Sequence, residues 1–143
     1  MSWISTFILL HLVFPLKAGA LMTPFGDRVR RLRERKGVSL KQMATELEIS
    51  SAYLSALEHG RKGLPSPMLL RQICTYFGLI WDEAEEMERL AAYSDPRAIV
   101  DTAGLTPDHT LLANMLARRV NLLSASDLAA ILAVLRRHDR GSP

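Results

Sequence analysis

Three times in this 143-residue chain a hydroxyl residue is followed at once by proline and then by apolar residues at helical spacing: Thr23-Pro24, Ser66-Pro67 and Thr106-Pro107. A serine or threonine side chain accepts from a first-turn amide, and proline at the first helical position forfeits no hydrogen bond, so each pair opens a helix. Gly37, Gly60 and Gly78 close the runs before them, because a left-handed terminal residue costs glycine nothing. Between these marks apolar residues recur at three and four positions, and no segment of length alternates as a strand does. The fold class is therefore all-α, built from short helices whose ends are encoded locally.

The apolar stripes give each helix its buried face. Phe25, Val29 and Leu32 make one stripe ending at Gly37, with arginines on the other faces. Ser39 and Gln42 form a capping box, followed by Leu40, Met43, Ala44 and Leu47. A tight corner, Glu48-Ile49-Ser50, leads to a third helix over Ser51 to Glu58 that buries Leu54 and Leu57, with Ile49 plugging the turn. Helix four places Leu70, Ile73, Cys74 and Phe77 on one face, and a fifth helix runs from Trp81 to Tyr93. Its first turns carry Asp82, Glu83, Glu85 and Glu86, where the helix dipole favours negative charge, so they read as a solvated face rather than a metal site. After a connector from Ser94 to Gly104, Leu111, Leu112, Met115, Leu116 and Val120 mark one helix and Leu128, Ile131, Leu132 and Leu135 another. These two are expected to form a C-terminal hairpin with more apolar surface than it can bury in itself.

Charge is distributed unevenly along this frame. The net charge is only +3, but from Phe25 to Lys62 nine basic residues face five acidic ones, and the remainder of the chain is mildly acidic. A local basic excess beside short helices points to a polyanionic partner. Catalytic chemistry is not indicated: there is no Gly-rich phosphate loop, no nucleophile with a base at recognisable spacing and no placed carboxylate pair, so no enzyme activity and no cofactor are expected. One cysteine, Cys74, sits at a core position, and the histidines at 11, 59, 109 and 138 lack zinc-ligand spacing, so no metal is expected either.

The segment from Ser39 to Gly60 meets the demands of a helix-turn-helix: small Ala44 where the second helix crosses, Ile49 in the turn, and Leu54 and Leu57 holding the second helix. On these residues, and on the Ser-Xaa-Xaa-Leu-Ser-Xaa-Xaa-Glu element of Ser51, Leu54, Ser55 and Glu58, Phe25 to about Ala92 resembles the Cro and lambda-repressor-like (XRE) family of DNA-binding regulators. Glu48 departs from it, standing where the family often has glycine. The resemblance implies a five-helix DNA-binding domain over 22–94 whose third helix enters the major groove. Base readers would be Ser51, Ala52, Tyr53 and Ser55. Phosphate contacts are expected from Ser39, Lys41 and Gln42 at the start of helix two and from His59, Arg61 and Lys62 after helix three. Arg28, Arg30, Arg31 and Arg33 are read as a solvated helix face.

The implied function is a sequence-specific transcriptional regulator, a dimeric repressor joined through residues 95–143, in the cytoplasm on the nucleoid and not in a membrane. The alternative is an antitoxin-like module that binds a partner protein through those helices and controls its own operon. Residues 1–21 form an apolar leader whose apolar run, Ile4 to Leu16, is too short to span a bilayer and has no basic residue ahead of it. The leader is expected to be upstream sequence before a start at Met22, ahead of an apolar arm or a signal segment.

Overall fold

The computed structural model describes residues 21–139, so the leader, apart from Leu21, lies outside the described residues. The described residues contain seven α-helices and no strand, and they divide into two compact units, one running through Arg97 and one beginning at Ala98.

The first unit holds α1 (Pro24–Lys36), α2 (Leu40–Glu46), α3 (Ser51–Glu58), α4 (Pro67–Phe77) and α5 (Asp82–Ala92). Three of the caps form where the sequence places them: Thr23 accepts from the Gly26 amide, Ser66 from that of Leu69, and Ser39 and Gln42 satisfy each other's amides at 3.1 and 2.8 Å, whereas the Thr106 hydroxyl caps no amide and instead meets His109 Nδ1 at 2.7 Å. Phe25, Val29 and Leu32 meet Met43, Ala44, Leu54, Leu57, Ile73, Cys74 and Met87 in one core. Each such buried side chain contributes about 1.5–3 kcal/mol, so packing rather than any cross-link carries this unit. Helix α1 packs on α3 and α5, α2 on α3, and α4 on α5.

Two details differ from the sequence reading. In α4 the fully buried leucine is Leu69, while Leu70 is only partly covered. Helix α5 starts one residue late, at Asp82, because Trp81 adopts φ 49° and ψ −122° and cannot join the helix. Polar ties close the unit. The Ser94 hydroxyl accepts from the Phe25 amide at 2.8 Å and donates to the Leu90 carbonyl. Lys36 donates to the Tyr76 carbonyl at 2.7 Å with its ammonium 3.8 Å from the centre of that ring, a cation–π contact joining the ends of α1 and α4.

The second unit consists of α6 (Pro107–Arg119), a 3-10 turn (Val120–Leu122) and α7 (Ala125–Asp139). Ser124 caps α7 by accepting from the Asp127 amide, and Asp127 accepts in return from the Ser124 amide and hydroxyl. No residue of either helix is buried, and among the described residues α6 and α7 make no sustained packing against each other. No helix among the described residues is long and apolar enough to cross a membrane.

Candidate nucleic-acid interface

The corner between α2 and α3 is a helix ending followed by a new cap. After Leu47, the Glu48 amide bonds back to the Thr45 carbonyl and the Ile49 amide to that of Ala44, a pairing that needs a left-handed residue at Glu48. Glu48 has φ 57°, a conformation that costs a non-glycine residue about 1 kcal/mol. The Ser50 hydroxyl then accepts from the Tyr53 amide at 3.0 Å and starts α3.

The rear of α3 is held on three sides. Leu54 and Leu57 enter the core, and Glu58 is buried against Arg33, whose guanidinium meets the carboxylate with two contacts of 3.2 and 3.4 Å. The Glu58 carbonyl accepts from both the amide and the hydroxyl of Thr23, at 3.1 and 3.2 Å. These bonds bring α1 so near that a Cβ on Gly26 would lie 1.9 Å from the Glu58 oxygen. Arg33 is therefore not part of a solvated face. It stands one residue from Leu32 and four from Val29, at the edge of the buried stripe. Arg30 and Arg31 do face solvent, paired with Glu34 and Asp27 on their own helix.

The opposite face of α3 is open. Ser51 and Ala52 are exposed and Ser55 is half-buried, while Tyr53 lies partly covered with its ring against the core. At the end of the helix Gly60 takes φ 70° and the Arg61 amide bonds back to the Ala56 carbonyl at 2.8 Å, which sets where Arg61 and Lys62 leave the helix. Both are exposed, as is Lys41, and none of the three has an ion-pair partner among the described residues. Ser39 and Gln42 are exposed, but each is already engaged in the capping box; the Gln42 amide nitrogen stays free to donate. The His59 Nδ1 lies 2.7 Å from the Ser55 carbonyl, so that nitrogen carries the proton and Nε2 can donate outward only as the imidazolium.

Cys74 belongs to the core, where burial and then the charge of Glu88 push its thiol up, away from the reactive thiolate. Among the described residues no group of three His, Cys, Asp or Glu side chains is placed to hold a metal.

The family described as a helix-turn-helix domain matches residues 24–90. The HTH-type transcriptional repressor RghR of Bacillus subtilis is 35% identical over 52 residues, 36% of this chain and 38% of the repressor. The HTH-type transcriptional regulator RamB of Mycobacterium tuberculosis is 35% identical over 89 residues, 62% of this chain and 17% of RamB. The HTH-type transcriptional regulator DdrOP3 of Deinococcus deserti is 35% identical over 81 residues, 57% of each chain. The match thus spans less than two thirds of each of these relatives. No solved structure matches the chain significantly.

Proposed function

Residues 24–90 match the helix-turn-helix domain family, and on that match we propose that the chain is a sequence-specific DNA-binding transcriptional regulator, a dimeric repressor that inserts α3 into the major groove. One observation carries the reading: α3 is clamped from behind by Leu54, Leu57 and the Arg33–Glu58 pair, while its open face bears small side chains and is followed by Arg61 and Lys62, exposed cations with no ion-pair partner among the described residues. The relatives' names point the same way. In this reading Ser51, Ala52, Tyr53 and Ser55 meet base edges, and Ser39, Lys41, Gln42, His59, Arg61 and Lys62 meet phosphates.

The reading set lacks Arg, Asn and Gln, the side chains that pair with a base through two hydrogen bonds. Hydroxyls contact any base, and the Ala52 methyl suits the thymine methyl. Specificity then leans on the shape of the duplex and on the spacing of two half-sites. The test is selection of bound duplexes from a random pool by the full chain, with affinity followed against salt. The expected result is an enriched, two-fold symmetric sequence with half-sites about 34–36 Å apart or a multiple of that, bound with affinity that falls as salt rises. An unenriched pool with salt-independent binding overturns the proposal.

A further inference from the structure

Helical spacing puts Ala52, Ser55, Ala56 and His59 on one face of α3 and its end, opposite the buried Leu54 and Leu57. Three of the four side chains are short. His59, half-buried, is the one on that face with a ring and a second nitrogen to offer. The Ser55 carbonyl accepts from it twice, from the backbone amide at 3.1 Å and from the ring Nδ1 at 2.7 Å. A carbonyl oxygen can only accept, so Nδ1 carries a proton in both charge states of the ring. The nitrogen that gains and loses a proton is therefore Nε2, which presents a lone pair when the ring is neutral and a donor when it is charged.

The charged groups on the segments around the end of α3 are accounted for. Glu58, the preceding residue, is buried and held by Arg33 of α1. Asp27 and Glu34 of α1 are taken by Arg31 and Arg30. Helix α2 carries Lys41 and Glu46, and the chain returning through Pro96, beside Gly60, carries Asp95 and Arg97. None of these carboxylates forms an ion pair with His59, and the cations that follow it are Arg61 and Lys62.

A phosphate oxygen is a negatively charged acceptor. Against a neutral ring it would meet the Nε2 lone pair, and against the imidazolium it receives a charge-assisted hydrogen bond. We propose that DNA binding by this chain takes up a proton at His59, whose ring holds a phosphate through Nε2 only as the imidazolium. The proposal rests on the DNA-binding reading above and adds to it a dependence on acidity. Its sign follows from linkage: the complex holds the proton more tightly than the free protein, so affinity is gained as pH falls through the histidine range and lost as pH rises through it. The other cations of the proposed contact set are lysine and arginine, types whose charge does not change in that range.

The test is the affinity of the full chain for a selected duplex and for an unrelated one, each followed against salt at about pH 8 and about pH 6, on either side of the histidine range. The parent is expected to bind both duplexes about fivefold more tightly, or better, at the lower pH. Its plot of log affinity against log salt is expected to steepen there by ~0.9, the increment for one more phosphate neutralised. His59→Gln, which keeps a polar side chain without a titrating nitrogen, is expected to lose both changes; its difference from the parent removes any contribution of His109 and His138. His59→Arg, with a fixed charge, is expected to keep the steeper slope at both pH values. A parent with the same affinity and slope at the two pH values overturns the inference, and so does a pH dependence that survives in His59→Gln or is confined to the selected duplex. Selective, salt-dependent binding without a pH effect would leave the DNA-binding reading standing, whereas unselective binding that salt does not alter would remove that reading and this inference with it.

Discussion

Gly26→Ala tests the closest approach in the first unit, between α1 and the end of α3. The added methyl carbon would sit 1.9 Å from the Glu58 carbonyl oxygen and 2.6 Å from its carbonyl carbon and Cα, all backbone atoms that no rotamer change can move. Ordinary van der Waals separation needs over 1 Å more, so α1 and α3 must part. Parting costs about 1–3 kcal/mol as overpacking. It also stretches the two hydrogen bonds from Thr23 to the Glu58 carbonyl, at about 1 kcal/mol each. Alanine's better helix propensity returns at most ~1 kcal/mol. The expected loss is about 2–4 kcal/mol, a fall in Tm of roughly 10–25 °C for a domain of this size. Urea denaturation followed by circular dichroism reads the loss, and DNA affinity measured where the variant is still folded reads the displacement of α3. A variant within ~0.5 kcal/mol of the parent refutes the argument.

Arg33→Met leaves Glu58 buried and unpaired and is expected to cost about 3 kcal/mol, whereas Arg30→Ala, which breaks an exposed pair, is expected to cost less than ~0.5; equal losses in denaturant would contradict the distinction. Glu48→Gly relieves the left-handed corner and is expected to stabilise by about 0.5–1 kcal/mol, visible as a higher urea midpoint at unchanged slope. Replacing Arg61 and Lys62 together with alanine is expected to weaken all duplexes alike and to flatten the plot of log affinity against log salt by about 1.8, or ~0.9 for each phosphate no longer neutralised; an effect confined to one sequence would assign them to base reading.

The parts of this molecule legible in its sequence are those whose causes are local. A capping box such as Ser39 with Gln42 is complete within four residues, so the sequence contains both halves of the interaction. The choice between Leu69 and Leu70 is different: the two are adjacent and both apolar, and the one that is buried depends on how α4 lies against α5. Trp81 extends an acceptable helical pattern, and only its backbone turn at φ 49° excludes it from α5. Arg33 shows the limit for function. A charged residue beside others of its kind looks solvated, and its role appears only when the packing of α3 against α1 brings Glu58 to it from 25 positions away.

The same ion pairs bear on how the proposed interface works. Arg30, Arg31 and Arg33 are matched by Glu34, Asp27 and Glu58, so half of the six cations of α1 are paired with carboxylates. The cations without such partners include Lys41, ahead of the corner, and Arg61 and Lys62, directly after α3. On the proposed reading, phosphate attraction at Arg61 and Lys62 holds the end of the reading helix without specifying sequence. Ser51 and Ala52 are too short to supply the roughly 1–3 kcal/mol of a two-bond base contact. A single domain on the proposed reading therefore discriminates weakly, and a rigidly spaced pair multiplies that discrimination. On the proposed reading, a reading helix with such small side chains depends for sequence recognition on the pairing of two copies as much as on its own contacts.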